Sequence, residues 1–241
     1  MTARASRGSE QRTLTTVPPR KRRTAESVRT KTSSAVVEHV LDEIFDGRLR
    51  AGDRIDLDEV GAAVGLSRLP VREAMVILER DGIVATTFHR GVYVEPFDAV
   101  SIMDDFEIFG MLSGLAVRRL AEEHDEQILA TLRDLLAELR AVKANDIEQI
   151  FDIVQQIMTV EHRAGGSRRL RAELRSRTGF LPYIFRVGSG RKHAVTVAAH
   201  ASVFDAIVAG DGHTAARHRL EDLRDAGRSA VRELKRRGVL E

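Results

Sequence analysis

The chain has 241 residues, of which 43% are hydrophobic, 31% charged and 5% aromatic, with no Trp and no Cys. That length permits one large domain or two ordinary ones with a real core, and the missing Cys excludes disulfides, a thiolate zinc site and a Cys nucleophile. The formal charge of +2 hides an asymmetry: residues 1–32 hold nine Lys/Arg and two acids, residues 33–95 seven Arg and twelve acids, and residues 96–241 twenty-two of each.

Residues 1–32 are rich in Ser, Thr and Arg, carry Pro18-Pro19 and have few apolar residues to bury, so a disordered basic tail is expected. Its cluster Arg20-Lys21-Arg22-Arg23 fits an arm for the DNA backbone or, equally, a merely solubilising tail. From Ser33 the spacing of Val36, Val37, Val40, Leu41 and Ile44 predicts a helix that Gly47 ends. A turn over Leu49–Asp53 and a short Arg54-Ile55 stretch lead to a second helix, capped by Asp56 and closed by Gly65. Ser67 is expected to cap a third helix running to Asp81, with Pro70 in its first turn and Val71, Met75 and Leu78 facing inward. Two β-like runs, Ile83–Thr87 and Val92–Val94, are joined by Phe88-His89-Arg90-Gly91 as a hairpin.

Pro96 marks a boundary, and beyond it only helices are readable: about 98–123, 125–143, 146–163, 168–186, 190–209 and 212–237. The expected fold is mostly α, with an N-terminal winged helix-turn-helix over 33–95 carrying a small β-hairpin wing and an all-α helical bundle over 96–241. No apolar run approaches the roughly 20 residues of a membrane helix, and no apolar signal core follows the basic N-terminus. A cytoplasmic protein without a membrane partner is expected.

A helix N-terminus combines free N–H groups, a favourable dipole and side chains that can enter the major groove. Here those side chains are Ser67, Arg68 and Arg72. Either guanidinium can pair with guanine O6 and N7, while the Ser67 hydroxyl suits phosphate. His89 and Arg90 sit on the wing loop, within reach of the minor groove. The domain is net acidic, yet its Arg residues gather at this turn and at the wing tip.

The string Gly65-Leu66-Ser67-Arg68-Leu69-Pro70-Val71-Arg72-Glu73-Ala74-Met75, then Leu78, Asp81-Gly82-Ile83-Val84 and Arg90-Gly91-Val92-Tyr93-Val94, resembles the GntR family signature. The all-α remainder is similar to the FadR subfamily, whose bundle is the FCD effector-binding domain. The resemblance implies DNA contacts at Ser67, Arg68 and Arg72, with Arg90 and Gly91 at the wing; Leu69, between them on the helix, and His89, on the wing loop, are expected to face the DNA with them. Two departures stand out. Leu69 replaces the Thr usual in the family, losing a hydroxyl, and Asp58 stands where some relatives carry Arg.

Many FCD domains hold a divalent metal with an Asp, a His four residues on and two later His. Aligned on Gly166-Ser167-Arg168-Arg169-Leu170, those positions become Val154, Met158, His200 and Asp222. Only His200 and Asp222 remain as weak metal candidates, so no metal or other cofactor is expected. The first bundle helix has Phe109 and Ser113 where relatives carry Arg and Glu. Phe109, Ser113, Val154, Met158, His200 and Asp222 therefore outline an expected effector pocket for an apolar or lipid-like molecule rather than a small carboxylate. The competing expectation is a repacked core without effector. His162 and the other histidines are expected at the surface. The whole implies a transcription regulator, a repressor or activator acting as a homodimer on a double-stranded DNA operator. An effectorless constitutive regulator is the alternative, and a metal-dependent enzyme lacks a supporting constellation.

Overall fold

The computed structural model describes residues 25–87, 90–96, 98–176 and 191–240, with side chains from residue 32 onward. The cluster at Arg20–Arg23, the wing residues Phe88 and His89, the linker residue Phe97 and residues 177–186 of the helix expected over 168–186 lie outside the described residues. Helix α1 spans Ala25–Phe45 and so begins well before Ser33, inside the segment expected to be disordered. No Gly or Pro occurs between Pro19 and Gly47, so nothing in that stretch stops a helix nucleated on the Val36–Ile44 face from propagating backwards.

Strand β1 (Arg54–Ile55) precedes α2 (Leu57–Val64) and α3 (Arg68–Arg80), and β2 (Val84–Thr87) and β3 (Gly91–Val94) form the wing. The sheet is antiparallel in the order β1-β3-β2, with Arg54 opposite Tyr93 and Thr87 opposite Gly91. The hairpin thus gains a third strand, because β3 also pairs with the short stretch before α2. Asp56 caps α2 by accepting from the Asp58 and Glu59 amides, and Gly65 closes it in the left-handed region at φ +66°. Val71, Ala74, Met75 and Leu78 bury the inner face of α3 against α1 and the sheet.

The bundle comprises α4 (Ala99–Glu123), α5 (Glu126–Ala141), α6 (Ile147–Gly165), α7 (Arg168–Ser176), α8 (His193–Val208) and α9 (Gly212–Arg236). Four of its helices start on an aspartate whose carboxylate accepts from the first turn: Asp98, Asp125, Asp146 and Asp211. A carboxylate there satisfies free amides and the helix dipole together. The central helices α4 and α9 pack along one another, and α6 lies against α4. Gly165 permits that second approach. A Cβ on it would stand 1.9 Å from the Ala116 carbonyl oxygen, a backbone clash that side-chain motion cannot relieve.

The apolar core does not stop at Pro96. One cluster runs from Val36, Ile44, Met75 and Val94 into Phe106, Phe109, Met158, Leu223, Leu234 and Leu240. A second is built by α5, α6, α8 and the far half of α4. Where the domains meet, Ile44, Leu49, Pro96, Ala99, Val239 and Leu240 line a cleft of about 530 Å³.

Candidate nucleic-acid interface and bundle site

Ser67 is the N-cap of α3, with extended backbone, but its side chain makes no capping hydrogen bond. A capping hydroxyl accepts from the second or third helical residue. The third here is Pro70, which has no N–H, so only the Leu69 amide is available, and the hydroxyl does not take it. The Ser67 hydroxyl is left for another partner.

Arg68 and Arg72 differ more than their spacing suggests. Arg68 donates from Nε to Asp58 Oδ1 and from Nη2 to Asp58 Oδ2, both at 2.7 Å. This fork ties the start of α3 to α2, and it occupies one edge of the guanidinium needed to read guanine. Arg72 is exposed and engages no described residue. The departure at Asp58 thus bears on Arg68 as well as on a lost cation. At the wing, Arg90 is exposed and its carbonyl accepts from the Tyr93 hydroxyl at 3.1 Å. Gly91 has φ +116°, and a Cβ there would meet Arg54 Nε at 2.9 Å. Arg54 therefore lies over the root of the wing. Sequence reading missed it, although the buried neighbour Ile55 already implied that Arg54 points outward.

In the bundle, two of the expected pocket residues, His200 and Asp222, belong to a buried ionic cluster. Phe109 and Met158 are each 4% exposed within the core, and Val154 packs against both apolar clusters. Arg219 on α9 is fully buried. Its Nη2 lies 2.7 Å from both oxygens of Glu161 on α6, and its Nη1 donates to Asp222 Oδ2 at 2.7 Å. His200 Nδ1 on α8 stands 3.5 Å from Nη1, and Arg191 donates to Asp222 Oδ1 at 2.5 Å. Three helices and the segment before α8 are thereby tied to one point.

Burial pushes the Glu161 carboxyl upward and Arg219 pulls it back, and its two short contacts require both oxygens as acceptors. Burial would also raise Asp222, but the positive groups around it outweigh this and hold it below its ordinary range. Burial, then Arg219, lowers His200 to about 3 and His162 to about 4. His162 is not the surface residue expected. Its Nε2 lies 3.0 Å from Ser113 Oγ, and its ring meets Phe109 edge-on at 5.7 Å.

This donor set does not fit a divalent cation. Both oxygens of Asp222 and of Glu161 are engaged by guanidinium groups, and a metal at His200 would stand beside the Arg219 charge. No group of three His, Asp or Glu among the described residues is arranged for metal. Two donors in the cluster have no acceptor among the described residues, Nε of Arg219 and Nε of Arg191. Glu161, Arg191 and Arg219 were invisible to the motif reading. The signal for Glu161 and Arg219 is charge on a buried row: Ile153, Ile157, Glu161 on α6, and Ala215, Arg219, Ala226, Ala230 on α9.

Comparison with known proteins agrees with this architecture. The family model described as "Bacterial regulatory proteins, gntR family" matches residues 32–94, and that of the FCD domain matches residues 104–225. An HTH-type transcriptional regulator of Mycobacterium tuberculosis is 35% identical over 155 residues, 64% of this chain and 63% of that protein, so the matched stretch spans just under two thirds of that relative. Among solved structures, a GntR transcriptional regulator from Rhodococcus sp. RHA1 superposes with TM-score 0.57 at 25% identity, covering 83% of this chain and 98% of that one. E. coli McbR/YncC shares the fold, with TM-score 0.59 at 20% identity over 80% of this chain and 94% of that one.

Removing one member of the cluster leaves charge buried and unpaired. Arg219→Met is expected to lower stability by about 3–5 kcal/mol, read by urea unfolding, with much of the loss recovered when Glu161 and Asp222 are also made apolar. The histidines set a pH dependence. Both rings stay neutral in the fold well below the pH at which an unfolded histidine, near 6.5, takes up its proton. The unfolded chain therefore binds more protons as the pH falls through that range, and stability is lost. Tm should be level above about pH 7 and decline from about pH 6.5 to pH 5, with a shallower decline in His162→Gln. A Tm that rises on acidification would contradict this.

Proposed function

We propose a mechanism for a chain that belongs to the gntR family of bacterial regulatory proteins and, through its FCD domain, resembles the FadR subfamily. The family and its relatives are DNA-binding transcription regulators, not enzymes, and this chain is one of them. We infer that it acts in the cytoplasm as a homodimer on a double-stranded, roughly palindromic operator. α3 enters the major groove, with Arg72 reading guanine, Ser67 meeting phosphate and Leu69 against the bases. Arg68 first has to share or release Asp58. Arg90 and Gly91 bring the wing to the backbone, as the sequence expects of His89. The observation that carries this reading is an exposed Arg72, free of described partners, at the start of a helix whose other face is fully packed.

A small effector in the bundle adjusts operator affinity. The Nε groups of Arg191 and Arg219, without an acceptor among the described residues, favour a ligand with an acceptor group, and Phe109, Val154 and Met158 nearby in the bundle favour an apolar body. That is an amphipathic molecule, and no metal takes part. Binding at Asp222 or Arg219 acts on α9, whose Leu234 and the following Leu240 share a cluster with the DNA-binding domain. The linker around Glu95–Asp98 carries the change alongside it. An effectorless regulator is the second reading, favoured by the dense packing of Phe109 and Met158.

Thermal-shift titration with fatty acids, acyl thioesters and short carboxylates, run with operator binding in parallel, separates the two. A class that shifts Tm and alters operator affinity supports the effector, and no response to any class favours the effectorless form. For the DNA end, Arg72→Ala is expected to weaken specific binding by about 1–3 kcal/mol in a fluorescence-anisotropy titration, with non-specific binding much less affected. Unchanged operator affinity sinks the assignment of the recognition helix.

A further inference from the structure

The outer face of α3 carries an apolar row that the fold does not use. Leu69 is 61% exposed and Val76 65% exposed. They lie seven residues apart with Arg72 between them, so all three side chains share one helical face. The opposite face, through Val71, Ala74, Met75 and Leu78, completes the domain core. Isolated surface hydrophobics need no explanation. This pair differs because it flanks the free Arg72 and follows directly on Ser67 and Arg68. Six large hydrophobics stand exposed among the described residues, and two of them are on this 13-residue helix.

Resting on the reading that α3 enters the major groove, we propose that Leu69 and Val76 read thymine, through apolar contact with its 5-methyl group, on either side of the guanine that Arg72 recognises. Among the base edges in the major groove, only thymine presents an apolar substituent. A leucine has no donor or acceptor and cannot tell the other base edges apart by hydrogen bonds. Its one discriminating contact is the methyl, from which both partners shed water. Loss of the hydroxyl implied at this position thus brings a different specificity rather than a weaker contact. The fork from Arg68 to Asp58 supports the assignment. It holds Arg68 toward α2, so the face presented outward at this level is Leu69 with Arg72.

The test uses the full chain and an operator obtained by selection from random duplexes. Each thymine is replaced singly by deoxyuridine, which removes the methyl and leaves base pairing intact. Wild-type protein should lose about fourfold in affinity at one or two positions in each half-site, those adjacent to the essential guanine. Leu69→Ala should bind thymine and deoxyuridine duplexes equally at the first of these positions, while keeping its dependence on guanine. Val76→Ala should do the same at the second. Circular dichroism confirms folding of both variants, whose mutated sites are on the surface. No thymine-to-deoxyuridine effect at any position in wild type overturns the proposal, as does an effect that persists unchanged in both variants. An exposed row that serves a protein partner instead gives the first of those results. Failure of the underlying reading is seen separately, as undiminished operator affinity in Arg72→Ala.

Discussion

A guanidinium with no solvent contact must be neutralised where it lies, and much of the bundle depends on how that is done for Arg219. Water cannot screen it, so Glu161 and Asp222 must stand within hydrogen-bond distance, and they are contributed by α6 and by α9 itself. Asp222 then needs its own second partner, which Arg191 supplies from the segment before α8. Two cations and two carboxylates balance, with His200 neutral among them. Such a cluster contributes little net stability relative to an apolar core of the same volume, because desolvation offsets most of the attraction. It is demanding in another way: any displacement of one helix exposes an unpaired charge.

The same electrostatic economy runs through the DNA-binding domain, in the opposite sense. Its acids are used locally, as with Asp56 capping α2, Asp53 accepting from the Arg50 amide and Asp58 holding Arg68. Arg72 on α3 and Arg50 in the turn before β1 are exposed and engage no described side chain. α9 joins the two ends of the molecule, with Arg219 and Asp222 in its middle and Leu234 in the cluster shared with α1 and α3.

Much of the helix and strand order was legible because it follows from short-range rules. Apolar spacing, aspartate caps and glycine stops placed α2 through α6, α8 and α9 within a few residues, and the start of α7. The departures also have local causes. α1 starts early because nothing breaks it, Pro70 leaves Ser67 one fewer amide to cap, and the wing has a third strand because β1 finds β3. The bundle site was read less well. Looking for ligands at fixed motif positions drew attention to Val154 and Met158, whereas the charge had moved to Glu161 and Arg219. Both lie on rows that are otherwise apolar, so the pattern held the clue as an exception to periodicity.

The sequence by itself determined the kind of molecule: a winged reading head with Ser67, Arg68 and Arg72 at the start of its third helix, joined to a helical bundle. Those features depend on contacts a few residues apart, and residue spacing is enough to specify them. Only the tertiary structure decided that Arg68 is held while Arg72 engages no described residue, that Leu69 and Val76 stand outward beside it, and that His200 and Asp222 meet a buried Arg219 and Glu161. Arg68 meets Asp58 across ten residues, and Arg219 meets Glu161 across fifty-eight. Pairing over such distances depends on how helices cross, which no local pattern specifies.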